Sequence, residues 1–392
     1  MATGVPSKRG AKQLEYALEY PGKLPRGDVL ALPFEAPSEI ELAESAGRLF
    51  EGDNLSALLW LRQQGGVRGQ VRSVYIDPPY ATSMAFVDRD VNHAYDDHLG
   101  GAEYIETLRK RLIVLHDLLA DDGSIFVHLD QKMVFEAKLV MDEVFGRDNF
   151  RNFITRKKCN TKNYTRNNFG NIADHVLFYT KTSLNVWHRP YDAWTDAKVL
   201  EEYPCIDEVS GRRYKKVPVH APGIRRGATG QPWRDKVPPK GKHWQYPPST
   251  LDEFDAAGDI YWSPSGNPRR KVYFDKSKGI PAQDIWMAFK DAHNQNVHIT
   301  GYPTEKSFEL VSRLVAATTN PGDLVLDCYC GSGTTLEAAV LLGRRFIGID
   351  ISEAAIKATE KRLREGRAAM GDFVGHRGVQ KRDVDLHGLF TQ

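Results

Sequence analysis

From residue 47 to residue 146 the chain alternates short apolar runs with longer stretches whose apolar residues recur every three or four positions. RLFEGD (48–53) predicts a strand, NLSALLWLRQQ (54–64) a helix, SVYID (73–77) a strand, and AEYIETLRKRLIVLHDLLADDG (102–123) a helix closed by its glycine. SIFVHLD (124–130) predicts the next strand and MVFEAKLVMDEVFG (133–146) the next helix. This alternation implies a parallel sheet with helices on both faces. NFITRK (152–157) and HVLFYTK (175–181) predict two further strands. The rhythm returns near residue 302: TEKSFELVSRLVAATT (304–319) predicts a helix with Thr304 as its N-cap, DLVLDCYC (323–330) a strand, TTLEAAVLLG (334–343) a helix and RRFIGIDI (344–351) a strand.

Between residues 185 and 281 the periodicity is lost, and Pro, Gly, Lys, Arg and Trp dominate, as in VPVHAPGIRRGATGQPWRDKVPPKGKHWQYPP (217–248). So long an irregular stretch inside a domain is functional or disordered. Trp187, Trp194, Trp233, Trp244 and Trp262 within it, with Trp286 just beyond, six of the seven tryptophans, argue against disorder, because disordered segments are poor in aromatics. They are expected to be the small core of this region rather than stacking platforms. No internal repeat is legible, and the two ends, residues 1–46 and 369–392, carry no readable motif.

Charge sharpens the division. Residues 151–250 hold 19 Lys or Arg against 8 Asp or Glu, so a formal net charge of +2 over 392 residues hides a basic middle on an acidic remainder. That asymmetry suggests a region that binds a polyanion, or else a solvated basic face. No apolar run reaches membrane-spanning length and the first residues lack the apolar stretch of a secretory signal, so a cytosolic protein with no membrane partner is expected. Cys159, Cys205, Cys328 and Cys330 show no zinc spacing and are expected to be reduced thiols, with no metal site.

Two motifs carry chemistry. In DLVLDCYCGSGTT a Gly-Ser-Gly turn joins a strand to a helix, which lets backbone N–H groups approach a polar ligand. A nucleoside triphosphate loop would need a following lysine and a dinucleotide loop a third glycine near Leu336; neither is present. What remains is a ligand with a carboxylate and a ribose but no pyrophosphate. Asp350, at the end of the next strand, is placed to accept hydrogen bonds from ribose hydroxyls, and the layout fits S-adenosylmethionine; its structural alternative is to cap the helix opened by Ser352 and Glu353.

The second motif is SVYIDPPY (73–80). The exocyclic amine of a nucleobase is a poor nucleophile, because its lone pair is delocalised into the ring. Acceptors on its N–H bonds draw it towards tetrahedral geometry, and Asp77 with the Pro78 carbonyl can supply two of them. Prolines fix the backbone and bring no competing N–H. Tyr80 offers a ring face for a base swung out of a duplex. The bland alternative is a strand, a Pro-Pro turn and a buried tyrosine.

Taken in order, EGDNLSALLWL, YIDPPY, FGNIADHVLFYTKT, GYPTEKS and DLVLDCYCGSGTT followed by GRRFIGIDI resemble the amino-methylating DNA methyltransferases in the permuted arrangement called the β group. The resemblance covers residues 49–364. It implies an α/β fold: a seven-stranded, Rossmann-like S-adenosylmethionine-dependent methyltransferase sheet, circularly permuted, with an inserted target-recognition region. The expected organisation is an N-terminal extension (1–46), a catalytic half (47–184), the recognition region (185–281), a cofactor-binding half (282–368) and a tail (369–392). The catalytic motif would be Asp77, Pro78, Pro79 and Tyr80. Asp53 would meet the cofactor's adenine edge, and Thr304 and Lys306 with the loop 327–334 would hold its methionine end. The full cofactor set is Asp53, Asn54, Asp77, Thr304, Lys306, Asp327, Tyr329, Cys330, Gly331, Ser332, Gly333, Thr334 and Asp350. Asp53, Thr304 and Asp327 also have purely structural readings, as helix caps and a strand-end residue.

The chain departs from the family pattern in three places. Tyr329 stands where Phe is usual, Ser307 stands where Pro is usual, which is expected to loosen the helix start, and the loop after Tyr80 lacks the Asn that often follows it. For double-stranded DNA as partner, the basic runs offer Lys157, Lys158, Lys162, Arg166, Arg212, Arg213, Arg225 and Arg226, which would serve phosphates more often than base edges. Adenine N6 is the favoured target, cytosine N4 the alternative. A DNA-binding protein without catalysis is disfavoured by the intact motifs, and an RNA or protein-glutamine methyltransferase by the basic insertion and the motif order. A stand-alone enzyme is favoured, with a homodimer and a cognate restriction endonuclease left open.

Overall fold

The computed structural model describes residues 17–42, 47–79, 86–87, 93–95, 101–159, 167, 169–289, 298–299, 306–366 and 368–369. Tyr80, Lys162, Arg166 and Thr304 lie outside the described residues. Described residues up to Pro190 and from Gln283 onward form one compact unit, and Tyr191–Ala282 another.

The larger unit is built on a nine-stranded sheet. Its strands are β1 (Ser38–Ile40), β2 (Gly47–Glu51), β3 (Val71–Ile76), β4 (Leu119–Leu129), β5 (Phe150–Lys157), β6 (Ala173–Thr180), β7 (Ile285–Trp286), β8 (Leu324–Asp327) and β9 (Arg345–Asp350). They lie in the order β1-β2-β9-β8-β3-β4-β6-β5-β7. The strands from β2 through β4 in that order are mutually parallel; β6 is antiparallel to β4 and β5 antiparallel to β6. The seven long strands make the Rossmann-like methyltransferase sheet, and the short β1 and β7 extend its two edges. In the centre of the sheet β3, early in the chain, pairs with β8, late in it.

Alternation along each central strand sorts its side chains between two apolar layers. Val74 and Ile76 of β3 join one cluster with Ala57, Leu58 and Leu61 of α1 (Asn54–Gln63), Leu108, Leu112 and Leu115 of α2 (Gly101–Leu118) and Val140 of α3 (Val134–Phe145). Tyr75, between them, joins the other cluster with Leu310 and Leu314 of α4 (Phe308–Thr318), Leu336 of α5 (Thr334–Leu341) and Ile356 of α6 (Glu353–Glu365). Burial on both faces explains why these strands read as unbroken apolar runs.

Two sequence expectations change. The helix expected over 102–123 ends at Leu118, and β4 begins at Leu119, which pairs with Val71. Gly123 is therefore no helix cap: a Cβ there would lie 2.9 Å from the Val71 carbonyl oxygen, so glycine permits a close backbone approach. The helix expected to start at Thr304 starts at Phe308 instead, and Ser307 caps it, its hydroxyl accepting the Leu310 N–H at 3.4 Å. Serine in place of proline thus secures the helix start rather than loosening it.

The smaller unit, irregular to the eye in sequence, is ordered by antiparallel pairing. Strands Cys205–Ile206, Arg213–Pro218, Pro268–Tyr273 and Ile260–Trp262 form a sheet in that order, and His220–Pro222 pairs with Lys242–Trp244 as a separate ribbon. Trp233 and Trp244 are buried with Val219, Leu251 and Ile260, and Trp262 packs against them. The indole N–H groups of Trp233, Trp244 and Trp262 donate to Asp252, the Gln231 carbonyl and Asp255 respectively. Each ring therefore contributes apolar area without an unpaired donor.

Candidate active site

Because β2, β9, β8, β3 and β4 run the same way, their carboxyl ends open at one edge of the sheet. β3 and β8 are neighbours, yet β3 leads on to α2 on one face and β8 to α5 on the other. A pair of neighbouring strands whose helices diverge in this way is the usual ligand position in open α/β sheets. Asp77 follows β3, Asp327 ends β8 and Asp350 ends β9. Two distant stretches of sequence thus meet at a single edge.

Asp77 is half-buried, the following Pro78 is buried and Pro79 half-buried. The Lys306 ammonium lies 2.7 Å from Asp77 Oδ2. Residues assigned separately in the sequence, one to the amine clamp and one to the methionine end of the cofactor, are therefore one ion pair.

The glycine turn is held from within. Gly331 and Gly333 have φ of +52° and +78°. A Cβ on Gly333 would lie 2.8 Å from Thr359 Oγ1, so both conformation and space demand glycine there. The Gly331 N–H donates to Asp350 Oδ2 at 2.8 Å, the Gly333 N–H to the Cys330 carbonyl at 2.7 Å, and Thr359 Oγ1 donates to the Gly331 carbonyl at 2.9 Å. Asp350 also accepts the Ser352 N–H, while Ser352, not Asp350, caps α6. Asp350 thus ties two strand ends together, and burial raises its acid above the ordinary carboxylate range.

Asp327 is buried, accepting from Thr335 Oγ1 at 2.6 Å and from the Tyr329 N–H at 3.0 Å. Burial, reinforced by the charges of Asp77 and Asp350, pushes its carboxyl up to about 7. Ser332 and Thr334 are buried, and the Thr334 hydroxyl accepts from Arg362. Burial also raises the Cys330 and Cys328 thiols, which are free and poorly reactive. Among the described residues no group of three or more His, Cys, Asp or Glu could hold a metal ion.

Asp53 caps α1 by accepting the Ser56 N–H at 2.7 Å, and it remains half exposed. Arg111 on α2 bonds both Asp53 Oδ1, at 3.2 Å, and Asn54 Oδ1; the Asn54 amide in turn donates to the Cys328 carbonyl at 2.7 Å. Arg111 was not singled out in the sequence, where it falls in the polar register of an amphipathic helix. His128, Asp174 and Arg156 were missed as well: each stands one residue from the end of its strand, where a polar residue reads as an exposed strand end.

The proposed DNA contacts separate into two groups. Arg212 makes two hydrogen bonds to Asp275, at 2.9 and 2.8 Å, and lies over the Tyr273 ring, while Arg213 donates to the Tyr203 carbonyl. Arg225 and Arg226 are exposed and form no ion pair among the described residues. Lys157 and Lys158 are half-buried at the end of β5.

A family profile described as DNA methylase, of the N6/N4 methyltransferase type, matches residues 71–361. The chain belongs to the N6/N4 DNA methylase family. As a member it is a DNA methyltransferase of the amino-methylating kind. It is 47% identical over 367 residues to the type II methyltransferase M.EcaI of Enterobacter cloacae, covering 91% of this chain and 79% of that one. It is 24% identical to the type II methyltransferase M.KpnI of Klebsiella pneumoniae, covering 77% and 78% of the two chains. Against the StyLTI Mod subunit of Salmonella typhimurium, a type III restriction-modification enzyme, identity is 26% over 77% of this chain, which spans about half (52%) of the Mod subunit. Among solved structures, the PvuII cytosine-N4-specific DNA methyltransferase is similar with a TM-score of 0.48 and 14% identity, covering 84% of this chain and 90% of that one. The M1.HpyAVI–SAM complex gives a TM-score of 0.42 and 16% identity, covering 80% and 98%.

Among the described residues no helix is long and apolar enough to cross a membrane.

Proposed function

We propose that this enzyme methylates adenine N6 within a specific sequence of duplex DNA, acting on a base swung out of the helix by direct attack on the methyl group of S-adenosylmethionine. The observation that carries the reading is the meeting of the Asp77 strand end and the Gly331–Asp350 turn at one sheet edge. The residues there fit the cofactor. The left-handed glycines leave a surface without Cβ atoms, and Asp53 and Asp350 are carboxylates suited to an amino-purine edge and ribose hydroxyls. When bound, S-adenosylmethionine supplies an electrophilic methyl carbon.

The remaining work belongs to the chain. Asp77 and the Pro78 carbonyl accept the two N–H bonds of the target amine and draw its lone pair out of conjugation. Lys306 keeps Asp77 oriented and balances its charge. After attack the amine must lose a proton, and Asp77 is the carboxylate in contact with it. The inserted unit supports DNA binding through exposed cations, with Arg225 and Arg226 better placed than the internally bonded Arg212 and Arg213. The names of the relatives support a restriction-modification setting, in which modification would shield host DNA from a cognate endonuclease.

The test is nucleoside mass spectrometry and modified-base sequencing of DNA from cells expressing the wild type and Asp77→Ala. N6-methyladenine in a single sequence context, lost in the variant by a factor of at least about a hundred, is expected. N4-methylcytosine would move the target base. Neither mark in the wild type would reject the proposal, and Asp77→Ala should still bind cofactor within a few-fold.

A further inference from the structure

Four polar side chains lie buried on one face of the sheet, on four consecutive strands beginning with the one that carries Asp77. The Tyr75 hydroxyl is 2.7 Å from His128 Nδ1. His128 Nε2 is 3.0 Å from Asp174 Oδ2, and Arg156 Nε is 2.9 Å from Asp174 Oδ1. The His128, Asp174 and Arg156 side chains are 0%, 3% and 0% exposed. Tyr75 lies on the Nδ1 side of the His128 ring and Asp174 on its Nε2 side, with Arg156 against the other oxygen of Asp174.

Stability alone does not account for this arrangement. The surrounding layer is apolar, with Phe126, Val176, Phe178 and Ile154 on the same strands. A buried ion pair is commonly no better than apolar residues of similar volume, because desolvation offsets the attraction. Its position is informative. Tyr75 precedes Asp77 by two residues, at the end of the strand that leads into it. His128 follows Val127, the register partner of Ile76, just as Asp77 follows Ile76. Burial opposes ionisation of Asp174, yet His128, Arg156 and Lys306 together hold its carboxyl well below the usual range.

We propose that Tyr75, His128, Asp174 and Arg156 are positioning residues for methyl transfer: they fix the strand end that bears Asp77. This rests on the function proposed above. None of the four needs to touch substrate. They set the direction in which the Asp77 carboxylate meets the target amine, where small misplacements are costly.

Tyr75→Phe, Asp174→Asn, His128→Leu and His128→Gln test this in the full-length enzyme. The measurements are steady-state methylation of unmethylated phage DNA, calorimetric binding of S-adenosylmethionine, and thermal unfolding. Tyr75→Phe, which keeps the ring, and Asp174→Asn should lower kcat about tenfold or more while KM for DNA and cofactor affinity stay within about threefold. His128→Gln, whose amide keeps a polar group facing Asp174, should recover part of the kcat lost in His128→Leu. If Asp174→Asn does not fold, Tyr75→Phe and the His128 pair decide. Variants with lower Tm but kcat within twofold of wild type would overturn the proposal, leaving the function intact. Wild-type enzyme without methyl transfer would overturn the function, and this network's role with it.

Discussion

The sheet unit and the inserted unit are held together differently. In the sheet unit, apolar residues from long parallel strands fill two continuous layers, and the charged groups are collected at the strand ends or buried in paired networks. In the inserted unit a handful of apolar residues gathers around Trp233 and Trp244, a second group of rings joins Trp194, Tyr203 and Phe274, and cation–aromatic contacts such as Arg212 over Tyr273 and Lys216 over Tyr261 supplement them. A large core can keep a few carboxylates in an environment that alters their acidity, as chemistry requires. A small core held by aromatic rings can carry exposed cations on a fixed backbone, as polyanion binding requires.

That contrast can be broken at its weakest point. Trp233→Ala removes the most buried ring of the small core, and a loss of about 3–5 kcal/mol is expected, enough to unfold the inserted unit. Limited proteolysis should then cleave within Tyr191–Ala282 while calorimetry finds cofactor affinity unchanged within about twofold. Loss of cofactor binding together with the insert would mean that the two units depend on each other.

A smaller effect is expected on the surface. Replacing Arg225 and Arg226 by Ala should leave Tm unchanged, because both are exposed. DNA affinity should fall, and the slope of log affinity against log salt should become shallower by about two. An unchanged slope would place the DNA elsewhere.

A further test sharpens the other half of the comparison. Asp327 has a folded-state acid constant near 7, against about 4 in an unfolded chain. Between those values the folded state binds the extra proton, so this group's contribution to stability is full below about pH 4 and is lost as pH rises towards 7. Asp327→Asn stays neutral throughout. Urea unfolding at pH 5 and pH 8 should therefore show a smaller decline in the variant than in the wild type. Equal declines would mean that Asp327 ionises freely.

The periodicity of apolar residues was sufficient for the parallel sheet and its helices, because burial on both faces leaves a pattern in the chain itself. It failed at 119–123, where a glycine that permits a close strand approach reads like a helix cap. It failed again at Ser307, because a cap depends on which N–H the hydroxyl meets. The insertion looked irregular because its strands are short and pair with partners far along the chain, as Arg213–Pro218 does with Pro268–Tyr273.

By itself the sequence determined the kind of fold, the family and the chemical groups available, since strand and loop residues announce those locally. Only the tertiary structure decided which groups act on one another: that Lys306 pairs with Asp77, that Arg111 clasps Asp53 and Asn54, and that His128 and Asp174 lie beside the strand of Asp77. The physical reason is that charge and hydrogen-bond interactions fall off over a few ångströms, whereas the residues concerned are dozens to hundreds of positions apart, and chain folding alone sets their separation.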